Sequence, residues 1–389
     1  MSLTALDTVV HHHLGKTFPA AQIEIRVRGE TVYARAFGWL DPETKTRDTN
    51  RATRFDLASV SKLFTVAAFM TLVEEGRIGL DQRVCAVLPE FVGARTITPY
   101  PDPLKPGAFV EVVPASHTHA DAGKVTFRHL LAHNSGLPAW LPLWQIGQSQ
   151  GLPLQESHDK MCATALTCAF AYPTGARVVY SDIGLILLGF AMEKITGKPL
   201  NEIVRERVTA PPGLSSVCYG PLVCHNVAPT EFYAHQGKRM CGEVHDENAW
   251  GLGGVAGHAG VFGTARDVAT LGEMFRRSGA PLLHSTTLAE MKRLQAQDGA
   301  VRRGLGFALW SPDPAAASNP LSERAFGHTG FTGTSLYVDP LRDLVVACLT
   351  NRVYYGRDNA DALGAFRVAL HRTVCQILDR RPPTADRSN

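Results

Sequence analysis

Two residues one helical turn apart, Ser59 and Lys62, have side chains that could perform nucleophilic chemistry. Positions i and i+3 lie on one face of a helix, so the Lys62 ammonium can reach the Ser59 hydroxyl. A serine hydroxyl is a weak nucleophile until a neighbouring group takes its proton. The spacing alone is weak, because Ser-x-x-Lys also occurs by chance as a capping serine and a solvated lysine. However, the predicted helix from about Ser59 to Glu75 is apolar on nearly every face, so the charge of Lys62 requires a partner.

Two later triplets complete a recognisable set. Tyr180-Ser181-Asp182 precedes an apolar helix predicted for Ile183–Thr196, and His328-Thr329-Gly330 leads into predicted strands near the C-terminus. With Ser-x-x-Lys, in this order, they resemble the serine β-lactamase and penicillin-binding-protein superfamily. The tyrosine and the histidine are most similar to class C β-lactamases and their esterase-like relatives. The resemblance extends to four flanking segments, Val125–Pro138, Val244–Ala249, Ala256–Phe262 and Gly327–Thr334.

The resemblance implies a role for each motif residue. Ser59 would attack the carbonyl and form an acyl-enzyme, with Lys62 keeping the site electropositive and relaying the proton. Tyr180 would be the general base for acylation and for the deacylating water. His328 would sit beside Tyr180 and, when protonated, lower its pKa. The backbone N–H groups of Ser59 and Phe331 would form the oxyanion hole, where one donor is worth about 10²–10³ in rate.

The substrate-binding and oxyanion side of the expected site consists of four residues, Asp182, Thr329, Gly330 and Phe331. Two positions depart from the class C pattern, because Asp182 stands where Asn is usual and His328 stands where Lys is usual. A carboxylate near Lys62 raises the pKa of that ammonium and makes it a poorer base, which gives more of the base role to Tyr180. It also removes an amide donor for a β-lactam side chain. These departures weaken the β-lactamase assignment and leave acyl transfer intact.

The pattern of elements predicts an α+β protein with the β-lactamase/transpeptidase-like fold. Strands near both ends of the chain imply one antiparallel sheet flanked by the terminal helices, with a helical domain inserted. We predict a sheet domain from residues 1–57 and 300–389 and a mainly helical domain from 58–299. The helical part includes a Pro- and Gly-rich insertion at 93–124 without sustained periodicity, which we interpret as a surface loop.

Two competing sites are disfavoured. Gly147–Gly151 matches the Gly-x-Ser-x-Gly elbow around Ser149, but that motif needs a strand before it and a helix after it, and nearby prolines favour a polar loop. Four residues, His245, Asp246, Glu247 and His258, suggest a metal site, but their spacing matches no usual ligand pattern. We expect these residues to hold loops together, and we predict no metal and no cofactor.

Composition limits the partners and the compartment. The 389 residues are 45% hydrophobic and 19% charged with a formal net charge of +3, which gives no reason to expect a nucleic-acid partner. No apolar window is long enough for a membrane span, and the N-terminus lacks the pattern of a secretory signal. Most of the eight cysteines sit in apolar surroundings, which is typical of reduced, buried thiols. We therefore predict a cytoplasmic location. The oligomeric state stays open.

The sequence thus predicts a serine hydrolase that cleaves a small-molecule ester or amide through a Ser59 acyl-enzyme. A carboxylesterase with weak β-lactam activity is the first interpretation. A β-lactamase or D-alanyl-D-alanine peptidase acting on a β-lactam or peptide is the second. A non-catalytic binding or scaffold protein of the same fold is the third, although the intact Ser59, Lys62 and Tyr180 argue against it. The natural acyl group, the leaving group and the role of the 93–124 insertion stay open.

Overall fold

The computed structural model of the protein describes residues 4–105, 107–112, 118–146, 152–234 and 236–379. The Gly147–Gly151 elbow candidate, with Ser149, lies outside these ranges.

The described chain contains the following helices and strands. The helices are α1 (Thr4–His13), α2 (Ser61–Glu74), α3 (Phe127–Leu131), α4 (Leu154–Thr167), α5 (Asp182–Thr196), α6 (Leu200–Val204), α7 (Glu247–Gly251), α8 (Ala265–Arg276), α9 (Ser285–Lys292) and α10 (Ala360–Asp379). The strands are β1 (Ala20–Val27), β2 (Glu30–Gly38), β3 (Phe55–Asp56), β4 (Ala94–Thr96), β5 (Tyr100–Pro101), β6 (Phe109–Val110), β7 (His119–Asp121), β8 (Cys218–Tyr219), β9 (Phe232–Tyr233), β10 (Lys238–Arg239), β11 (Val261–Gly263), β12 (Ala296–Asp298), β13 (Val301–Arg303), β14 (Ala308–Leu309), β15 (Phe326–Thr329), β16 (Ser335–Asp339) and β17 (Leu344–Thr350).

The main sheet is antiparallel and takes its strands from both ends of the chain. Its order is β12-β13-β14-β15-β16-β17-β1-β2. β1 lies between β17 and β2, with Ile23 opposite Cys348 on one side and Arg35 on the other. The alternation of apolar and polar residues in β1 directs Ile23 and Ile25 towards one core. The predicted fold class is confirmed.

Helices cover both faces of this sheet. α1 and α10 pack together over one face, where Phe18 and Phe366 stack edge to face with ring centroids 4.8 Å apart. α8 covers the opposite face against β1, β16 and β17. At Gly272 a Cβ would lie 2.6 Å from Val345 Cγ1, so the missing side chain lets α8 approach closely. The larger core continues from α8 to α2 and α5.

The two helices that carry chemical motifs are buried, as their uniformly apolar sequences predict. α2 has Phe64, Val66 and Phe69 fully buried, and α5 has Ile183, Leu187 and Leu188 fully buried. Within the described residues, no helix combines the length and the apolar character that crossing a bilayer demands.

Two stretches differ from the sequence-based expectation. The 93–124 insertion contains paired strands, β4 with β7 and β5 with β6, within its described part. Such two- and three-residue strands are too short to give a period-two signal. The sequence near 306–310 also predicts a strand, but only the two residues of β14 form one there, because Gly306 has φ +72° and turns the chain. The proposed division into 1–57 with 300–389 and 58–299 stays a prediction.

The expectation that the cysteines are reduced is wrong for one pair. Cys224 and Cys241 form a disulfide with a Cα–Cα distance of 5.6 Å. The β9–β10 hairpin brings them together, and Leu222 N–H donates to Gly242 O over 2.8 Å beside the bond. This proximity depends on a hairpin that the sequence did not reveal. The other cysteines, Cys85, Cys162, Cys168, Cys218, Cys348 and Cys375, are free thiols.

Candidate active site

Ser59 follows a short strand and a residue with unusual backbone geometry. β3 ends at Asp56, and Ala58 has φ +46°, a left-handed conformation that is uncommon outside glycine. The Asp56 carboxylate fixes this turn, since it accepts the N–H of Ala58 at 2.8 Å and the N–H of His245 at 2.7 Å. Ser59 then lies in the 3₁₀ turn Ala58–Val60 that leads into α2. The nucleophile candidate is therefore held in place before any substrate binds.

The Lys62 ammonium donates two hydrogen bonds and forms one ion pair. Its Nζ lies 2.9 Å from Ser59 Oγ, 3.0 Å from His258 O and 2.7 Å from Asp182 Oδ1. The side chain is only 1% exposed. Burial lowers the pKa of Lys62, but the Asp182 carboxylate and Tyr180 raise it more, so this pKa lies above its ordinary value. Lys62 is therefore a buried cation rather than a ready base.

Tyr180 lies beside this cation because of the way α5 begins. Ser181 caps the helix by accepting the N–H of Gly184 at 3.3 Å, which leaves Tyr180 just before the helix and Asp182 in its first turn. The Tyr180 ring centroid is 4.9 Å from Lys62 Nζ. Burial raises the pKa of the Tyr180 phenol and Asp182 adds to this rise, whereas Lys62 and the Ser59 hydroxyl oppose it. The net direction is upward.

His328 lies on β15 next to Tyr180, with ring centroids 5.6 Å apart. The expectation that a protonated His328 lowers the Tyr180 pKa is wrong. Burial, together with the charges of Lys62 and Arg303, holds the pKa of His328 well below its usual range. The ring is therefore neutral at pH 7, and its Nδ1–H donates to Thr329 O over 2.8 Å. This contact leaves Nε2 as the unprotonated ring nitrogen.

The turn after Thr329 approaches the nucleophile segment closely. A Cβ on Gly330 would lie 2.1 Å from Thr334 Oγ1 and 2.5 Å from Leu57 O, so only glycine fits. Thr334 Oγ1 donates to Leu57 O over 2.7 Å, which ties the turn to the residues before Ser59. This packing brings the Phe331 segment beside the Ser59 segment, as an oxyanion hole made of their two N–H groups requires.

The Phe331 side chain is clamped from several sides. Its ring stacks on His245 with centroids 5.7 Å apart, and the Arg352 guanidinium lies 4.5 Å above it. Arg352 Nε also donates to Phe331 O over 2.8 Å. Arg357 lies 5.7 Å from the ring and pairs with Glu247. The position of the Phe331 backbone is thus defined by side chains as well as by the strand.

The segment from His245 to Asn248 connects these parts. His245 pairs with Glu231 over 2.9 Å, Asp246 pairs with His258 over 2.8 Å, and Asn248 Nδ2 donates to Leu141 O over 2.8 Å. Asp246 also caps α7 by accepting the N–H of Ala249 at 2.8 Å. The expectation that these residues hold loops together matches the contacts that they make.

Two carboxylates, those of Asp182 and Asp246, come close together beside Lys62. Ligand atoms of Asp182, Asp246 and His258 lie within 4.8 Å of one another, an arrangement that could hold a metal ion. The Lys62 ammonium contacts Asp182 and the His258 carbonyl at the same place. A cation from the chain itself therefore balances this cluster, and a metal ion would have to compete with it.

Two residues near Tyr180 were not identified from the sequence. His133 has φ +57° and lies 4.7 Å from the Tyr180 ring, and its Nδ1 accepts the N–H of Ser181 at 3.1 Å. His133 belongs to the flanking segment Val125–Pro138. That segment indicated the family resemblance, but it did not show that His133 lies next to Tyr180. The Arg303 guanidinium lies 5.2 Å from the Tyr180 ring centroid. A lone arginine at the end of a strand gives no sequence signal of proximity to a site.

Comparison with known proteins identifies the family of the chain. A family model described as Beta-lactamase matches residues 6–370. The chain is 30% identical to the N-acetylmuramyl-L-alanine amidase of Bacillus subtilis strain 168, covering 90% of this chain and 81% of that protein. It is 27% identical to a putative D-alanyl-D-alanine carboxypeptidase of Escherichia coli K12, covering 90% of this chain and 82% of that protein.

Solved structures show the same fold at lower identity. EstCE1, described as a hydrolase with promiscuous acyltransferase activity, superposes with a TM-score of 0.71 at 22% identity, over 95% of this chain and 98% of that chain. The octameric penicillin-binding protein homologue from Pyrococcus abyssi superposes with a TM-score of 0.72 at 22% identity, over 98% of this chain and 78% of that chain. The chain belongs to the Beta-lactamase family and is a hydrolase of the serine β-lactamase type.

Proposed function

We propose that the protein hydrolyses esters through an acyl-enzyme on Ser59, with β-lactams as weak substrates. The observation that carries the proposal is the 2.9 Å contact between Lys62 Nζ and Ser59 Oγ beside Tyr180, whose hydroxyl oxygen is buried. A serine hydroxyl becomes an effective nucleophile only when neighbouring groups take its proton. Lys62 and Tyr180 are the groups placed to do so here.

The reaction proceeds in two balanced steps. In acylation, the Ser59 oxygen bonds to the carbonyl carbon while its proton passes, beside Lys62, to the Tyr180 oxygen. The leaving alkoxide then departs with that proton. In deacylation, Tyr180 takes a proton from water, the hydroxide attacks the acyl carbon, and the Ser59 oxygen leaves and recovers the proton. The N–H groups of Ser59 and Phe331 would stabilise both oxyanions.

Three features favour esters over β-lactams. An alkoxide or phenoxide leaves easily, so hydrolysis needs little beyond nucleophile, base and oxyanion hole. Asp182 provides no amide donor for a β-lactam side chain, and its carboxylate repels an anionic substrate. The Asp182 carboxylate forms an ion pair with Lys62 at 2.7 Å, so it is not free to bind a group of the substrate.

A D-alanyl peptidase activity is the second candidate, and Arg303 is the observation that favours it. A guanidinium 5.2 Å from the Tyr180 ring would attract a substrate with a terminal carboxylate. The names of the amidase and carboxypeptidase relatives agree with an amide substrate. A peptide ending in D-alanine should then be cleaved faster than the same peptide with an amidated terminus.

A substrate panel on the purified protein tests the proposal. We expect short-chain aryl esters to exceed a chromogenic cephalosporin in kcat/KM by at least about tenfold, which is only about 1.4 kcal/mol in the barrier. A peptide ending in D-alanyl-D-alanine is the third substrate. Equal or faster turnover of the cephalosporin would overturn the ester preference, and faster turnover of the peptide would establish the second candidate.

Covalent labelling with a fluorophosphonate separates catalysis from a non-catalytic role. The adduct should map to Ser59 by mass spectrometry, and Ser59→Ala should abolish both labelling and turnover. Ser61→Ala is the matched control, because Ser61 Oγ faces the other way and accepts the N–H of Val261 at 3.1 Å. Absence of labelling on the wild-type protein would support a binding or scaffold protein, and an adduct on Ser149 would move the nucleophile elsewhere.

A further inference from the structure

Asp246 makes contacts that a helix cap alone does not need. A cap requires one accepted N–H bond, which Asp246 receives from Ala249. The same carboxylate also accepts the Nε2–H of His258 at 2.8 Å. The backbone carbonyl of His258 is one of the two groups that accept a hydrogen bond from Lys62. Asp246 therefore acts on both the side chain and the position of the residue that holds Lys62.

The charges of this region also connect Asp246 to Lys62. The carboxylates of Asp246 and Asp182 lie within 4.8 Å of each other, and Asp182 touches the ammonium. Burial opposes the ionisation of Asp246, but His258, the Ala249 N–H and Lys62 together hold the pKa of Asp246 well below its usual range. Asp246 is thus an anion beside a buried cation. Two partly buried carboxylates this close together are stabilised by such a counter-charge.

We propose that Asp246, acting with His258, is a positioning residue that keeps Lys62 charged and directed at Ser59. The Asp246–His258 contact fixes the His258 carbonyl against Lys62, and the Asp246 charge adds to that of Asp182 in favouring the ammonium. Lys62 then presents one N–H to Ser59 Oγ and leaves the base role to Tyr180. This inference rests on the proposed function, because it assumes that Lys62 and Tyr180 serve the Ser59 nucleophile.

Other ionisable groups face the same ammonium and must be held constant in any test. Asp182 and Tyr180 approach Lys62 from the start of α5, and Asp246 and His258 approach it from the α7 side. His133 and His328 lie further away, and both have a pKa that the Lys62 charge lowers. Arg303 lies behind Tyr180 and acts on the same two histidines.

The variant Asp246→Asn separates charge from capping. Asparagine caps a helix as well as aspartate does and its Oδ1 can still accept from His258, so the fold is retained while the charge is lost. We expect the rising limb of the pH profile of kcat/KM for an aryl ester to move to lower pH by at least about half a unit. We expect the titration midpoint of the Lys62 ε-CH₂ signal, followed by NMR of ¹³Cε-lysine protein and assigned with Lys62→Met, to move in the same direction.

Asp121→Asn is the matched control. Asp121 caps the turn Ala122–Lys124 by accepting the N–H of Gly123 at 2.9 Å, and it is exposed. Asp121→Asn therefore removes one negative charge from a capping residue that does not contact Lys62. Neither the pH profile of kcat/KM nor the titration midpoint of the Lys62 signal should change.

The outcomes separate this inference from the proposed function. An unchanged Lys62 midpoint in Asp246→Asn would overturn the inference and reduce Asp246 to a cap. If the Lys62 midpoint moves but the pH profile of hydrolysis does not, the effect of Asp246 on Lys62 is supported. The same result would contradict the proposed function, because Lys62 and Tyr180 would then not control hydrolysis.

Discussion

At the scale of single residues, the protonation of Lys62 decides which group can act as base. Its ammonium donates to Ser59 and to the His258 carbonyl, and the ion pair with Asp182 at 2.7 Å stabilises the charge. In the proposed mechanism Tyr180 therefore accepts the Ser59 proton, although burial raises the pKa of Tyr180. The rate of hydrolysis near neutral pH should therefore be limited by the small fraction of Tyr180 that is deprotonated.

The pH dependence of Asp182→Asn tests this assignment. Tyr180 must lose a proton to act as base, so kcat/KM rises with pH towards its raised pKa. Asp182 raises the pKa of both Tyr180 and Lys62, so its replacement by a neutral amide lowers both. We expect the rising limb to move to lower pH by about one unit. An apparent pKa that rises in Asp182→Asn would contradict the electrostatic role given to this carboxylate.

Residue identities in the motifs were predictable, but their ionisation was not. The Ser59–Lys62 contact follows from helical spacing, and the Asp182 effect on Lys62 follows from charge. The neutral state of His328 does not, because it depends on burial and on Arg303, which is distant in sequence. The partner of Asp246 likewise depends on a loop that returns twelve residues later to place His258.

At the scale of elements, the site depends on the contact between the Gly330 turn and the start of α2. Thr332 Oγ1 donates to Asp56 O and Thr334 Oγ1 donates to Leu57 O, over 2.8 and 2.7 Å. Arg367 on α10 donates to Gly330 O and Thr334 O from the other side of the sheet. Three elements therefore fix the relative position of the two candidate oxyanion donors.

Gly330→Ala should disturb this contact. A Cβ would lie 2.5 Å from Leu57 O, so the turn must move away from the nucleophile segment. We expect kcat/KM for an aryl ester to fall by about 10²–10³, the effect of losing one oxyanion donor. The measurement is made below the unfolding temperature, checked by circular dichroism.

Gly364→Ala on α10 is the control for this variant. A Cβ at Gly364 would meet nothing within 4 Å, so we expect unchanged activity. Alanine in place of glycine should also stabilise the helix by roughly 0.5–1 kcal/mol. Gly330→Ala with unchanged kcat/KM would show that the Phe331 N–H does not contribute to catalysis.

The elements themselves were largely predictable, because hydrophobic periodicity is strong in long segments. α2 and α5 begin and end within two residues of the predicted bounds, Ser59–Glu75 and Ile183–Thr196. The short pairs β4–β7, β5–β6 and β9–β10 were missed. Their stability comes from packing and turns rather than from any pattern of their own residues.

At the scale of the whole molecule, the disulfide bears on the compartment. The predicted cytoplasmic location assumed reduced cysteines, whereas a Cys224–Cys241 bond persists where the surroundings are oxidising. Cys224 is exposed, so a reducing environment would have access to the bond. The bond closes a loop of 17 residues that begins at the turn before β9 and ends five residues before Asp246. It therefore restrains the chain next to the segment that carries the Asp246–His258 pair.

The number of free thiols tests this bond directly. We expect the protein, denatured without reductant, to react with six equivalents of a thiol reagent, and with eight after reduction, because Cys224 and Cys241 are paired. The double variant Cys224→Ser/Cys241→Ser should lose about 3 kcal/mol of unfolding free energy, as loss of a restraint on a loop of this length predicts. Cys85→Ser is the control, since this half-buried free thiol closes no loop. Eight reactive thiols before reduction, in protein isolated under non-reducing conditions, would show that the pair is open in solution. The cytoplasmic prediction would then stand, and the segment leading to Asp246 would be held by the β9–β10 hairpin and the contacts of His245 with Asp56 and Glu231.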